Sequence, residues 1–396
     1  MSVNFLKIYL FDIDGVLVKP LGYRQGVRTV LQEYAERWGV RGRLAGEEEI
    51  SLLESQQITS EWDQIPICLA CMLDEGLDHS ASRPADFSID EVPPALFDRD
   101  SASVAIDYRR KITAIGLLPK DNRALSDQLL KDDSIFPNLF PYRAFRDLFA
   151  NTRDVLKSKT TRRFQLLELG SQVFSETYHL PADCETEGLL VTRDISLIPA
   201  DVAADLLRKR KKGEIEMSAI SARPSRPDGL FSDPEHSYSP EAELGLRVAG
   251  LSGIPCIGFG ELVWLAEKVH TEADSLLKPN RIHALAGMAA ASGLDSLSAM
   301  QAAYDLDQAG SQESISLIFG TAQRPVEVHI FEDTPVGVLA AKSAVEYLNE
   351  LGILASFHAW GITENVDKCA ALTDAGAVVF SSIRDAIEAA TGAGQN

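Results

Sequence analysis

The chain has 396 residues, 45% of them hydrophobic, and its 38 Lys+Arg against 58 Asp+Glu give a formal net charge of −20. That length allows two or three domains, and the apolar content can fill a sizeable core. An acidic field of this size repels polyanions and argues against nucleic acid or an anionic membrane surface as a partner, so a small phosphorylated substrate would need a local cationic centre.

The first residues, MSVNFLKIYLFDIDG, lack the basic start, long apolar core and small-residue cleavage site of a signal peptide. Within them Phe5 to Phe11 reads as a buried parallel strand that ends abruptly in Asp12. From about Pro20 to Leu197 the apolar residues recur with helical spacing and strands are scarce, which predicts a separate helical domain over 21–196 between core segments 1–20 and 197–396. Its expected helices are Arg24 to Trp38, Ser60 to Glu75, Ser103 to Ile115, Asn122 to Lys131, Pro141 to Lys157 and Thr161 to Tyr178. Cys68 and Cys71 form a CxxC in the apolar stretch ICLACML; with no second pair nearby they read as buried thiols in preference to a metal or redox site. Five scattered cysteines fit a reducing, cytoplasmic setting better than a disulfide framework. His79 to Asp100, rich in Asp, Ser and Pro, reads as a mobile or loosely packed loop.

Helix and strand then alternate. Helices are expected at Pro199 to Lys212, Glu241 to Ala249, Pro279 to Ala291, Val336 to Leu351 and Ser382 to Ala390, and strands at Ile215 to Ile220, Pro255 to Phe259, Pro325 to Phe331, Ile353 to Trp360 and Ala377 to Phe380. This order implies an α/β fold, a doubly wound, Rossmann-like parallel sheet covered on both faces. No apolar run approaches the length of a membrane span.

Four segments fall at strand ends, where open α/β sheets place their ligands. In Asp12-Ile13-Asp14-Gly15, alternation along an extended backbone points both carboxylates the same way and glycine permits a sharp turn. Ser221-Ala222-Arg223-Pro224 offers a hydroxyl and backbone N–H groups for phosphate oxygens. Lys278 precedes the proline that opens a helix, and Glu332-Asp333 closes an apolar strand. Each segment taken singly has an ordinary alternative as a turn, a strand end or a solvated charge. Gathering Asp12, Asp14, Glu332 and Asp333 together would be costly without a cation, because each like-charge pair at about 4 Å costs about 4 kcal/mol at an effective dielectric near 20. An all-oxygen set of this kind suits Mg²⁺.

FDIDGVLV, SARP, LLKP and IFEDTP, in this order, resemble the four motifs of haloacid dehalogenase superfamily phosphatases. The closing AWGITEN and DAGAVVFSSIRDAIEA are similar to the tail of the phosphoglycolate phosphatase-like members of subfamily I. The resemblance implies that Asp12 is the nucleophile forming an aspartyl-phosphate and that Asp14 protonates the leaving oxygen and then activates water. It implies that Ser221, Ala222 and Lys278 bind phosphoryl oxygens. Asp12, the backbone carbonyl of Asp14, Asp333 and Glu332, directly or through water, would hold Mg²⁺.

Two departures stand out. Gly337 occupies a position where many members carry a second aspartate, with Glu332 expected to substitute, and the helical cap insertion is about twice the usual size. Within that insertion Arg24 could grip a phosphate or a substrate anion while Trp62 and Asp63 line a lid, or Trp62 could be core and Asp63 cap or pair on a surface. Arg109 and Arg110 read as solvated. The activity implied is Mg²⁺-dependent hydrolysis of a small phosphorylated metabolite. A phosphomutase or phosphotransferase on the same site is the nearest alternative, and a non-catalytic protein-binding role for the cap is another.

Overall fold

A computed structural model describes residues 5–80, 83–97, 106–118, 124–232, 236, 238–320 and 324–392. The chain divides into two compact units: Met1–Pro20, Asp194–Phe231 and Tyr238–Asn396 in the first, and Leu21–Arg193 with Ser232–Ser237 in the second.

The first unit is built on strands β1 (Leu6–Phe11), β4 (Glu216–Ile220), β5 (Cys256–Ile257), β6 (Val326–Glu332), β7 (Ala355–Ile362) and β8 (Val378–Phe380). They form one sheet in the order β5-β4-β1-β6-β7-β8, with every neighbouring pair parallel. Counted along the sheet's own strands this is the order 3-2-1-4-5-6, the doubly wound Rossmann-like arrangement whose direction of build reverses at the first strand. Alternation in β1 sends Ile8 and Leu10 into one apolar layer and Tyr9 and Phe11 into the other. The first layer is closed by helices that include Arg281–Ala291 and Pro335–Glu350, and the second by helices that include Ala200–Lys211, Glu241–Val248 and Ile383–Thr391. Val18–Lys19 (β2) and Ile195–Ser196 (β3), both missed in the sequence, pair antiparallel where the chain leaves and re-enters this unit.

The second unit is helical, around a core that includes Trp38, Met72, Phe136, Phe145 and Phe164. The first two expected helices run Gly22–Trp38 and Glu61–His79, and a helix at Glu47–Ser55 joins them. The next two run Tyr108–Gly116 and Leu125–Leu129; residues 103–105 and 122–123 of the expected spans lie outside the described residues. The span Pro141 to Lys157 is corrected to a short helix, Arg143–Phe149. Thr161 to Tyr178 is corrected to two helices, Lys159–Leu169 and Ser171–Tyr178, because Gly170 takes φ of +81° between them. The loosely packed loop is also corrected over 83–97: Phe87, Ile89 and Leu96 are buried, and Trp38 Nε1 donates to the Ile89 carbonyl at 2.8 Å. The rest of that stretch, 81–82 and 98–100, lies outside the described residues. Cys68 and Cys71 are fully buried, and burial pushes the Cys68 thiol up to about 12, so neither offers a thiolate at neutral pH. Among the described residues no helix is long and apolar enough to cross a membrane.

Candidate active site

The site lies at the carboxyl ends of β1, β4 and β6, where the strand order reverses. Asp12 follows β1; its backbone N–H donates to the Phe331 carbonyl at 3.0 Å, and its Oδ1 accepts the Ile13 N–H at 2.8 Å. Gly15 then turns with φ of +77°, and a Cβ there would lie 2.3 Å from Asp333 Oδ2. Both the backbone sign and the close approach of the carboxylate call for glycine.

Three of the four expected carboxylates meet. Asp12, Glu332 and Asp333 each present an oxygen within 4.8 Å of the others. Lys278 Nζ lies 2.9 Å from Asp12 Oδ1 and 2.6 Å from Glu332 Oε1. All three of these side chains are deeply buried. Burial, then the Glu332 carboxylate, hold the Asp12 carboxyl well above its usual range, against the pull of Lys278. Burial likewise raises Glu332 against Lys278. Burial would lower the Lys278 ammonium, but Asp12 and Glu332 outweigh it and the group is held above its ordinary value. Lys368 Nζ approaches Asp333 Oδ2 at 2.5 Å. Ser221, after β4, is buried and its Oγ accepts the Arg223 N–H at 3.1 Å, which leaves its own proton to donate. Ala222 beside it is exposed.

Two residues that position this group carried no clear signal in the sequence. His283, on Arg281–Ala291, is fully buried; its Nδ1 accepts the Lys278 N–H at 3.4 Å, so Nε2 carries the proton and donates to the Ile257 carbonyl at 3.0 Å. Gly337 was visible only as a departure from a motif. A Cβ there would lie 1.7 Å from Glu332 Oε1, so the Glu332 carboxylate fills the space that a side chain at 337 would need.

Asp14 differs from its expected place. Its carboxylate is not part of the three-oxygen group; Arg223 Nε contacts both its oxygens at 3.0 Å and Nη2 contacts Oδ1 at 2.6 Å. The same Nη2 reaches Asp194 Oδ2 at 2.9 Å. Arg223 stood within a recognised segment without a role, and nothing local marked Asp194.

In the second unit Arg24 is engaged by Glu54, at 2.8 Å, and by Glu47, so its guanidinium is already neutralised by carboxylates of its own unit. Trp62 packs against the helical core with Arg153 over its ring, and Asp63 is buried and paired with Arg153 at 2.6 Å. Trp62 matches its structural alternative, whereas Asp63 pairs as that alternative has it but is buried instead of lying on a surface. Arg109 is exposed, and Arg110 reaches Glu75 at 3.1 Å. A cavity of about 700 Å³ in this unit is lined by Arg37, Lys159 and Arg163, but Arg163 is held by Glu33 at 2.6 Å and Asp183 at 2.9 Å, and Arg37 and Lys159 both face Asp90.

A second cluster in the first unit, Glu327, His329 and His358, has the spacing of metal ligands. Its hydrogen bonding excludes that role in this arrangement. Trp360 Nε1, which can only donate, contacts His329 Nδ1 at 3.0 Å, so the neutral ring keeps its proton on Nε2, the atom facing Glu327 Oε1 at 3.2 Å. A metal on Nε2 would move that proton to Nδ1, directly against the indole N–H.

His329 supplies a pH prediction. Burial, then His358, lower its imidazole to about 4. The unfolded chain takes up a proton below about 6.5 that the native ring refuses, so this group's stabilisation is complete above that pH and is lost as pH falls towards 4, by up to about 3 kcal/mol. Chemical denaturation at pH 7.5 and 4.5 should show a smaller acid-induced loss in His329→Gln than in the parent; equal losses would contradict the assignment.

Sheet order, carboxyl-end site and two-sided helical cover define the first unit as a doubly wound α/β domain. No family model and no curated protein matches this sequence. In three dimensions the chain is similar to an X-ray structure solved as a Northeast Structural Genomics Consortium target, with a TM-score of 0.64 at 16% identity, over 98% of this chain and 100% of that one. At that identity the likeness establishes the fold alone.

Proposed function

We propose that the protein is a Mg²⁺-dependent phosphatase of the haloacid dehalogenase type, acting on a small phosphorylated metabolite through an aspartyl-phosphate on Asp12. The observation that carries this reading is the meeting of three carboxylates: Asp12 and Glu332 are buried and share the Lys278 ammonium, and the part-buried Asp333 beside them completes an oxygen-only donor set. Buried like charges of this kind are stabilised by a cation, and hard oxygen donors fit Mg²⁺. When bound, the ion would supply charge stabilisation to the transferring phosphoryl group.

Asp12 attacks phosphorus with the oxygen not engaged by its neighbours. Lys278 and the Ser221 hydroxyl neutralise and orient the phosphoryl oxygens. Asp14, more exposed than any of those three carboxylates, gives a proton to the leaving oxygen and then takes one from the water that cleaves the acyl phosphate. Two carboxylates two residues apart thereby divide nucleophilic from acid–base work.

A phosphate-release screen over phosphorylated metabolites tests the proposal. Release should depend on Mg²⁺ and stop with EDTA. Isomer formation in place of free phosphate would mark a mutase, and no turnover by folded protein across the panel would exclude both.

A further inference from the structure

We infer that Arg223, anchored by Asp194, is the positioning residue that sets the orientation of Asp14; the inference rests on the phosphatase reading above. Asp14 follows a strand end and its side chain is 35% exposed, so nothing in its own turn would fix the plane of its carboxylate. Arg223 provides that constraint. Its Nε and Nη2 grip the carboxylate in a fork, a geometry that defines the orientation of both oxygens and that lysine cannot reproduce.

The fork is itself held from behind. The Arg223 side chain is 1% exposed, and its Nη2 is shared with Asp194, whose side chain is completely buried. Nη1 points at the Glu241 carbonyl at 3.5 Å, and Gly245 leaves room for it, since a Cβ at 245 would lie 3.1 Å from Nη1. The two carboxylates that Arg223 links are tied together along the chain as well. Asp14 precedes β2 and Asp194 precedes β3, and these strands pair through Val18 with Ser196 and Lys19 with Ile195, continued by the Leu197 N–H to the Leu17 carbonyl at 2.8 Å. Asp194, Arg223 and Asp14 thus form one braced line ending at the acid–base group.

A residue that aligns a general acid matters most when the leaving oxygen needs its proton. The test compares kcat/KM, which reports steps up to the first irreversible one, for phenyl phosphate and 2,4-dinitrophenyl phosphate. Phenol is a weak acid, with a pKa of about 10, whereas dinitrophenolate departs without protonation. Arg223→Lys should lower kcat/KM for phenyl phosphate by about 30-fold or more and for the dinitrophenyl ester by less than about 3-fold. Asp194→Asn, which keeps the shape and removes only the anchor's charge, should shift the ratio in the same sense by about 3- to 10-fold, and it decides the matter if Arg223→Lys does not fold. Equal losses on both esters in a folded variant would overturn the positioning role and leave the phosphatase reading intact. Absence of Mg²⁺-dependent turnover in the parent on both esters would overturn the two together.

Discussion

Replacing Asp12 with Asn is expected to lower kcat by at least about 10⁴-fold while the fold is retained. The amide keeps the shape of the side chain, and its Oδ1 can still accept the Ile13 N–H that Asp12 accepts at 2.8 Å, but it has no oxygen able to bond to phosphorus. The effect on stability should run in the opposite direction. Asp12 and Glu332 are buried against one another with Lys278 between them, so in EDTA the substitution removes an uncompensated negative charge and the Tm should equal or exceed that of the parent. Adding Mg²⁺ should then raise the parent's Tm more than the variant's, since an ion that binds only the native state stabilises it by an amount that grows with the logarithm of its affinity. Kinetics and thermal unfolding with and without Mg²⁺ check both halves. Parent-like turnover in Asp12→Asn would remove Asp12 from the mechanism.

Gly337→Ala should destabilise the protein by about 2–4 kcal/mol and cost about 100-fold in activity. Elsewhere in a helix the same change stabilises by about 0.5–1 kcal/mol. The difference is steric: residue 337 lies in the helix Pro335–Glu350, and its Cβ would occupy the position of Glu332 Oε1, the atom that holds Lys278 at 2.6 Å. Glu332 would have to swing away and leave Lys278 without this partner. A double-mutant cycle isolates this contact. In a Glu332→Ala background the space is free, so adding Gly337→Ala should be neutral or stabilising, for a coupling of at least about 2 kcal/mol. Additive losses across the four proteins in chemical denaturation would show that Glu332 and Gly337 do not compete for one volume.

Where the sequence was read correctly, the signals were local. Alternating strands and helices predicted the parallel sheet because a strand's two-residue period and a helix's 3.6-residue period leave separate traces. Asp12, Ser221, Glu332 and Asp333 stand at strand ends as the alternation predicted, whereas Lys278 follows the short helix Ala273–Leu276 and reaches Asp12 and Glu332 from there. The errors also have local causes. The loop near Phe87 looked loose because its composition is polar, yet a few apolar residues and the indole of Trp38 fasten it to the helical core. One helix was read across Gly170, where positive φ breaks the run.

The alternation of elements and the residue types that end each strand are legible along the chain, since both follow from hydrophobic period and from chemistry carried by single side chains. Which charges neutralise one another is fixed by the folded arrangement. Arg223 belongs to Asp14 and Asp194, Arg24 to Glu47 and Glu54, and Lys278 to Asp12 and Glu332. Ion pairing depends on distances of a few ångströms between residues far apart in the chain, 209 positions in the case of Asp14 and Arg223, and hydrophobic period says nothing about those distances.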